Sequence, residues 1–160
     1  MSGQKISLDL MDLFIQSNEK IGELRDDKMQ HVDEINKFVN QIFNQTPKES
    51  RIKKNYCEIC NFISSDMSSF ELHHVSGCKH DFRMVTSCKP CHRVLSDKQK
   101  LQDHRWWMKN QPENIRKAFF LHGLYEILCL KSQKTGNSVH CEYAAKLVEL
   151  ISMLLRGKIQ

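Results

Sequence analysis

Cys57-x-x-Cys60 and Cys88-x-x-Cys91 are two tight thiol pairs with 27 residues between them. Each spacing makes a knuckle from which two sulfurs converge. Four thiolates from two knuckles match the tetrahedral, borderline-soft preference of Zn²⁺. Four unliganded core cysteines would sit in apolar runs. These sit in Asn-Tyr-Cys-Glu-Ile-Cys-Asn and Ser-Cys-Lys-Pro-Cys-His, which are polar. Cys78 and His80 are nearby competitors for a ligand position, but the paired geometry favours Cys57, Cys60, Cys88 and Cys91. The module holds few large apolar residues, so the metal is expected to supply much of its folding free energy.

Between the knuckles, residues 70–75 (Phe-Glu-Leu-His-His-Val) alternate loosely and suit a strand. Successive side chains of a strand point to opposite faces, so His73 and His74 separate. Gly77 then allows a turn. The segment after Cys91 reads as a helix with His92 in its first turn. Packed across the strand, that helix brings His92 opposite one of the paired histidines.

The combination C-x-x-C, Leu-His-His-Val with a following Gly, then C-x-x-C-His resembles the zinc-bearing HNH endonucleases. The resemblance covers about residues 57–100, near a quarter of the chain, and neither helical flank. It implies a ββα-metal core of treble-clef type. By position, His74 is then the general base that activates water for attack on a DNA phosphodiester. His73 and His92 are implied ligands of a catalytic divalent ion, Mg²⁺ or another, while the four cysteines hold a separate structural zinc. An imidazole that is neutral near pH 7 suits the base role. Lys79, Arg83, Lys89 and Arg93 are expected to position the DNA backbone. Two positions depart from the family. Arg83 stands where the family carries the Asn that orients the base, with His80 and Asp81 close by. Ser96 stands where a further metal-binding histidine is common, with Asp97 one residue away.

The flanking elements must position these groups. In residues 6–43, Ile21, Leu24, Val32, Ile35, Val39 and Ile42 form the stripe of an amphipathic helix. Thr46-Pro47 ends it. That helix either packs on the rest of the chain or pairs with a second copy as a homodimer. Residues 48–55 form a basic connector, read first as a solvated linker, whose Arg51, Lys53 and Lys54 can also reach phosphate. Trp106 and Trp107, among basic residues, either stack on bases or cap the core, and the core reading is preferred. Pro112 opens a helix to about 132 that is apolar nearly all round and therefore buried. A turn at 134–138 precedes a last helix at about 139–156, which makes an αα-hairpin. The expected fold is mainly α with a small α+β zinc module: residues 1–47 helical, 48–110 zinc-binding, 111–160 a helical hairpin.

Charge follows the same division. The chain carries a formal +5. Residues 1–47 hold five basic and eight acidic side chains, residues 48–109 twelve and seven, and residues 110–160 seven and four. Positive charge travelling with the cysteine module suits a polyanion such as DNA. Met1 to Asp12 holds acids and no continuous apolar run, so no signal peptide is expected, and paired thiols then imply a reducing cytoplasm or nucleus. The interrupted apolar runs predict no membrane span. Three functions fit: an HNH-like endonuclease, a non-catalytic zinc-stabilised DNA-binding or regulatory module, and a helical protein-interaction module.

Overall fold

The computed structural model describes residues 46–156. The expected N-terminal helix and its pairing with a second copy fall outside them. The described chain opens with a reciprocal cap. The Glu49 backbone N–H donates to Thr46 Oγ1 at 3.2 Å, and the Thr46 N–H donates to Glu49 Oε2 at 2.8 Å, which closes a single 3₁₀ turn, Glu49–Arg51. The residues that follow turn at the first knuckle. The Cys57 N–H donates to the Phe62 carbonyl at 2.8 Å and the Asn61 N–H to the Cys57 carbonyl at 3.0 Å, with Asn61 left-handed at φ 61°. Asparagine tolerates that region better than most residues.

Two strands follow, β1 (Phe70–His74) and β2 (Met84–Cys88), paired antiparallel with His73 opposite Val85 and His74 opposite Met84. The ladder runs one residue further, because the Val75 N–H donates to the Arg83 carbonyl at 3.0 Å. Gly77, at φ 73°, begins the excursion between the strands. A side chain there would be strained in backbone and would crowd Trp106 Nε1. The end of β2 runs straight into α1 (Lys89–Lys100), with Cys88 as its N-cap and Pro90 in the first turn, where a missing N–H costs nothing. Helix α1 packs across both strands.

Two longer helices complete the described fold. Helix α2 (Glu113–Thr135) ends at Gly136, left-handed at φ 70°, and α3 (Val139–Leu155) returns antiparallel along it. Nine residues of α2 are buried, from Ile115 to Leu130, as its nearly all-round apolar sequence demands. One core joins the knuckle residues Cys57 and Ile59, the strand residues Phe70, Val75 and Val85, Leu95 of α1 and the apolar faces of α2 and α3. A smaller cluster holds Trp106, Ile115 and Phe119. Trp106 is therefore core, as expected of the pair, but Trp107 is not: it is 47 % exposed. The hairpin closes tightly over the strands. A Cβ on Gly123 would lie 1.7 Å from the Val75 carbonyl oxygen, so only glycine lets α2 approach here. None of the helices among the described residues is long and apolar enough to cross a membrane.

Candidate metal centre and its histidine face

The four paired cysteines converge. Their sulfurs all lie within 4.8 Å of one another, and among the described residues no other group of three or more His, Cys, Asp or Glu does so. Cys60 Sγ is 3.7 Å from Cys88 Sγ, close to the about 3.8 Å that two thiolates on one tetrahedral zinc would show. The Cys60 N–H donates to Cys57 Sγ at 3.5 Å, so the first knuckle already offers a backbone donor to a thiolate. Cys57, Cys88 and Cys91 are buried. Burial, followed by the neighbouring thiols, pushes the Cys91 thiol up, so a bound cation is needed to hold the set as thiolates. The donor set therefore fits a metal ion.

Several contacts fix that cluster to the sheet. The Glu58 N–H donates to the Thr86 carbonyl at 2.9 Å, and the Thr86 N–H donates back to Glu58 Oε2 at 2.7 Å. Glu58 also pairs with Lys54. From α2, Lys131 comes close enough to Cys57 and Glu58 for both to favour its ammonium, although burial acts first and lowers its pKa.

His73 and His92 meet where α1 packs across β1. His73 is 4 % exposed and packs edge-on against His92, with ring centroids 5.2 Å apart at 82°. The Gln99 side chain locks His73. Its amide nitrogen donates to the His74 carbonyl at 2.8 Å and meets His73 Nε2 at 3.1 Å. An amide nitrogen only donates, so Nε2 is the acceptor and the proton of neutral His73 sits on Nδ1. Burial, then the positive potential of His92 and His74, lowers the His73 pKa to about 4. His92 Nδ1 lies 2.7 Å from Glu71 Oε2. Residues 71 and 73 share a face of β1, so Glu71 belongs to this constellation although the spacing of the histidines did not reveal it. The register that pairs β1 with α1 was the missing information.

His74 points to the opposite face of the strand, as alternation requires. Burial lowers its pKa, while Asp81, through its main chain and its carboxylate, pulls the other way. Its Nδ1 is buried without a hydrogen-bond partner. Of the two residues expected beside the base, Asp81 is the neighbour. His80 instead turns inward, with Nε2 2.5 Å from the Trp106 carbonyl and its ring 4.9 Å from Phe119.

The basic residues divide into two groups. Arg83 is held by Asp81 through Nε at 2.7 Å and Nη2 at 2.5 Å, and its guanidinium stacks 4.0 Å from the centre of Phe120. Only 12 % of its side chain is exposed, so it braces the loop rather than facing a ligand. Lys79 donates to the Trp107 carbonyl and Lys53 to the carbonyls of Met67 and Phe70, while Lys54 is committed to Glu58. These four side chains gain partners inside the protein because the loops they lie on fold back over their own neighbours. Lys89 and Arg93 stay exposed. With Lys100 they line an open groove of about 710 Å³ along α1, together with Glu71, Pro90, His92, Ser96 and Asp97. Asp97 is ion-paired with Lys100. Ser96 Oγ lies 3.5 Å from His92 Nδ1. Comparison with protein-family models, curated proteins and solved structures finds no match for this chain.

Proposed function

We propose that this chain is an HNH-like, metal-dependent endonuclease that hydrolyses DNA phosphodiester bonds on a Cys₄ zinc platform. The order of elements supports the reading: a knuckle, the β1–β2 hairpin and then α1, with Cys88 as the N-cap of α1 and Cys91 in its first turn, is compatible with a treble clef. The observation that carries the reading is the meeting of β1 and α1. There His92, from the first turn of α1, lies 2.7 Å from Glu71 and packs edge-on against His73, and Glu71 and His92 both line a groove edged by three cations.

In this reading His92, with a partner from β1, holds the divalent ion. When bound, that ion polarises the phosphate and stabilises the leaving 3′-oxygen. His74, held neutral at pH 7 by burial, takes the proton of the attacking water. Asp81 beside it favours the imidazolium that forms, which replaces the orienting role of the Asn that Arg83 displaces. Lys89, Arg93 and Lys100 hold the phosphate backbone by charge. Incubation of zinc-loaded protein with supercoiled plasmid and Mg²⁺, Mn²⁺ or Ni²⁺ tests this. Nicking is expected from the wild type. His74→Ala is expected to lose about 100-fold or more of it, the scale of a general base, with zinc content unchanged.

A second reading rests on two observations: Gln99 occupies Nε2 of His73, and Arg83 is bound internally. A zinc-stabilised module that binds DNA without cutting it accommodates both. It predicts salt-sensitive binding that His74→Ala leaves intact, with no nicks under any of the three ions.

A further inference from the structure

The nuclease reading leaves open which residue of β1 joins His92 at the divalent ion. We propose that it is Glu71, and that His73 packs against His92 to orient it without touching the ion. The inference rests on the nuclease reading only for the presence of an ion on this face.

Three observations lead to Glu71. First, its Oε2 lies 2.7 Å from His92 Nδ1. Two ligand atoms on adjacent positions of an octahedral ion, each about 2.1 Å from it, are about 3 Å apart. A shift of a few tenths of an ångström lets these two atoms flank a cation. Second, His73 has no lone pair to give. Gln99 donates to Nε2, and the remaining nitrogen carries the proton. Gln99 cannot simply turn away, because the same amide is anchored on the His74 carbonyl within the strand. His73 is also 4 % exposed, and beyond it lies a cavity of only about 10 Å³ shared with Gln99, His122 and Glu126. That space suits one water and not a hydrated ion with its substrate. Third, Glu71 and His92 open outward. Their side chains are 45 % and 29 % exposed and both line the groove that Lys89, Arg93 and Lys100 edge.

Two protein ligands are few; the carboxylate suits a hard cation, and the imidazole favours Mn²⁺ or Ni²⁺ over Mg²⁺. Mg²⁺ and Mn²⁺ sites of nucleases are completed by waters and phosphate oxygens rather than by an all-protein cage. The groove leaves room for both. Placed there, the ion faces the phosphate that the three cations attract, and the edge-on His73 ring keeps His92 from swinging inward.

The test is a Mn²⁺ titration of the zinc-loaded full chain, with free Mn²⁺ followed by electron paramagnetic resonance and paramagnetic broadening of the His92 ring protons followed by NMR. The thiolate site is kept filled with zinc, which it prefers over Mn²⁺. The wild type is expected to bind one Mn²⁺ that broadens His92. Glu71→Gln is expected to weaken that binding about tenfold or more, and by clearly more than His73→Asn, which removes only the ring packed against His92. Retention in Glu71→Gln with loss in His73→Asn overturns the proposal in favour of His73 and leaves the nuclease reading standing. No broadening of His92 in the wild type also overturns it. Zinc content reports on folding. If His73→Asn loses zinc, Gln99→Ala serves instead: unchanged Mn²⁺ affinity supports Glu71, and a tightening of several-fold shows that a released His73 joins the ion and overturns the proposal. A wild type that binds Mn²⁺ through Glu71 but never nicks DNA sinks the nuclease reading alone.

Discussion

Residue by residue, the chain divides side chains of one type between opposite tasks. Of the three histidines in the constellation, His73 is held neutral in the interior, His74 faces Asp81 and His92 faces the groove. The sequence alternation at 73–74 was enough to separate the first two. Glu71 and Gln99 were not legible, because each acquires its role only when α1 packs across β1 with one particular rotation. The surroundings of Arg83 were not legible for a related reason: its partners Asp81 and Phe120 lie on a loop and on a distant helix. The buried neutral His73 has a consequence for stability. Its folded pKa of about 4 lies below the ordinary 6.5. The unfolded chain therefore takes up a proton below pH 6.5 that the folded one refuses, and stability falls as the pH drops. Burial lowers His74, His122 and His140 in the same direction. Between pH 7 and 5, His73 alone is expected to remove about 2 kcal/mol. Urea unfolding of zinc-loaded protein at the two pH values should show the loss, and His73→Asn should reduce it.

The secondary-structure elements were the most readable level. The strand around His73, the helix after Cys91 and the αα-hairpin all stand where apolar periodicity and turn residues put them, with α2 running to Thr135, three residues past its expected end. What periodicity cannot give is contact between elements. The sharpest example is Gly123, which looks like an ordinary helix interior glycine and is the point where α2 meets the Val75 carbonyl. Gly123→Ala gains intrinsic helix propensity, about 1 kcal/mol, yet must push the hairpin off the end of β1. Overpacking costs about 1–3 kcal/mol and should win. A lower melting temperature is expected, together with weaker nicking, because Val75 directly follows His74. A rise in melting temperature would show that this contact does not constrain the fold.

The whole described fold is tied together through the cysteine cluster. Cys57 and Ile59 of the knuckle share one core with Phe70, Leu95, Leu124 and Leu147, so loss of the metal should loosen more than the knuckle. Chelation with a strong zinc ligand, or Cys57→Ala, is expected to abolish the cooperative thermal transition seen by near-ultraviolet circular dichroism, and added zinc should restore it only in the chelated wild type. Electrostatics at this scale also differ from the sequence tally. Residues 48–109 carry twelve basic side chains; Lys53, Lys54, Lys79 and Arg83 take partners within the protein, whereas Lys89, Arg93 and Lys100 gather along the α1 groove. Replacing each of these three by Ala should lower the slope of log affinity for DNA against log salt by about 1. Lys53→Ala should leave that slope unchanged.

The central claim is that His74 on a zinc platform hydrolyses a DNA phosphodiester, and the chemistry of the cut ends tests it most directly. Hydrolysis with a 3′-oxygen leaving group yields a 3′-hydroxyl and a 5′-phosphate, the pair that a DNA ligase can rejoin. Supercoiled plasmid incubated with zinc-loaded protein and Mn²⁺ should give open circles that ligase reseals, and His74→Ala with full zinc content should give none above background. Plasmid that stays supercoiled under Mg²⁺, Mn²⁺ and Ni²⁺, while the wild type demonstrably binds it, would contradict the account.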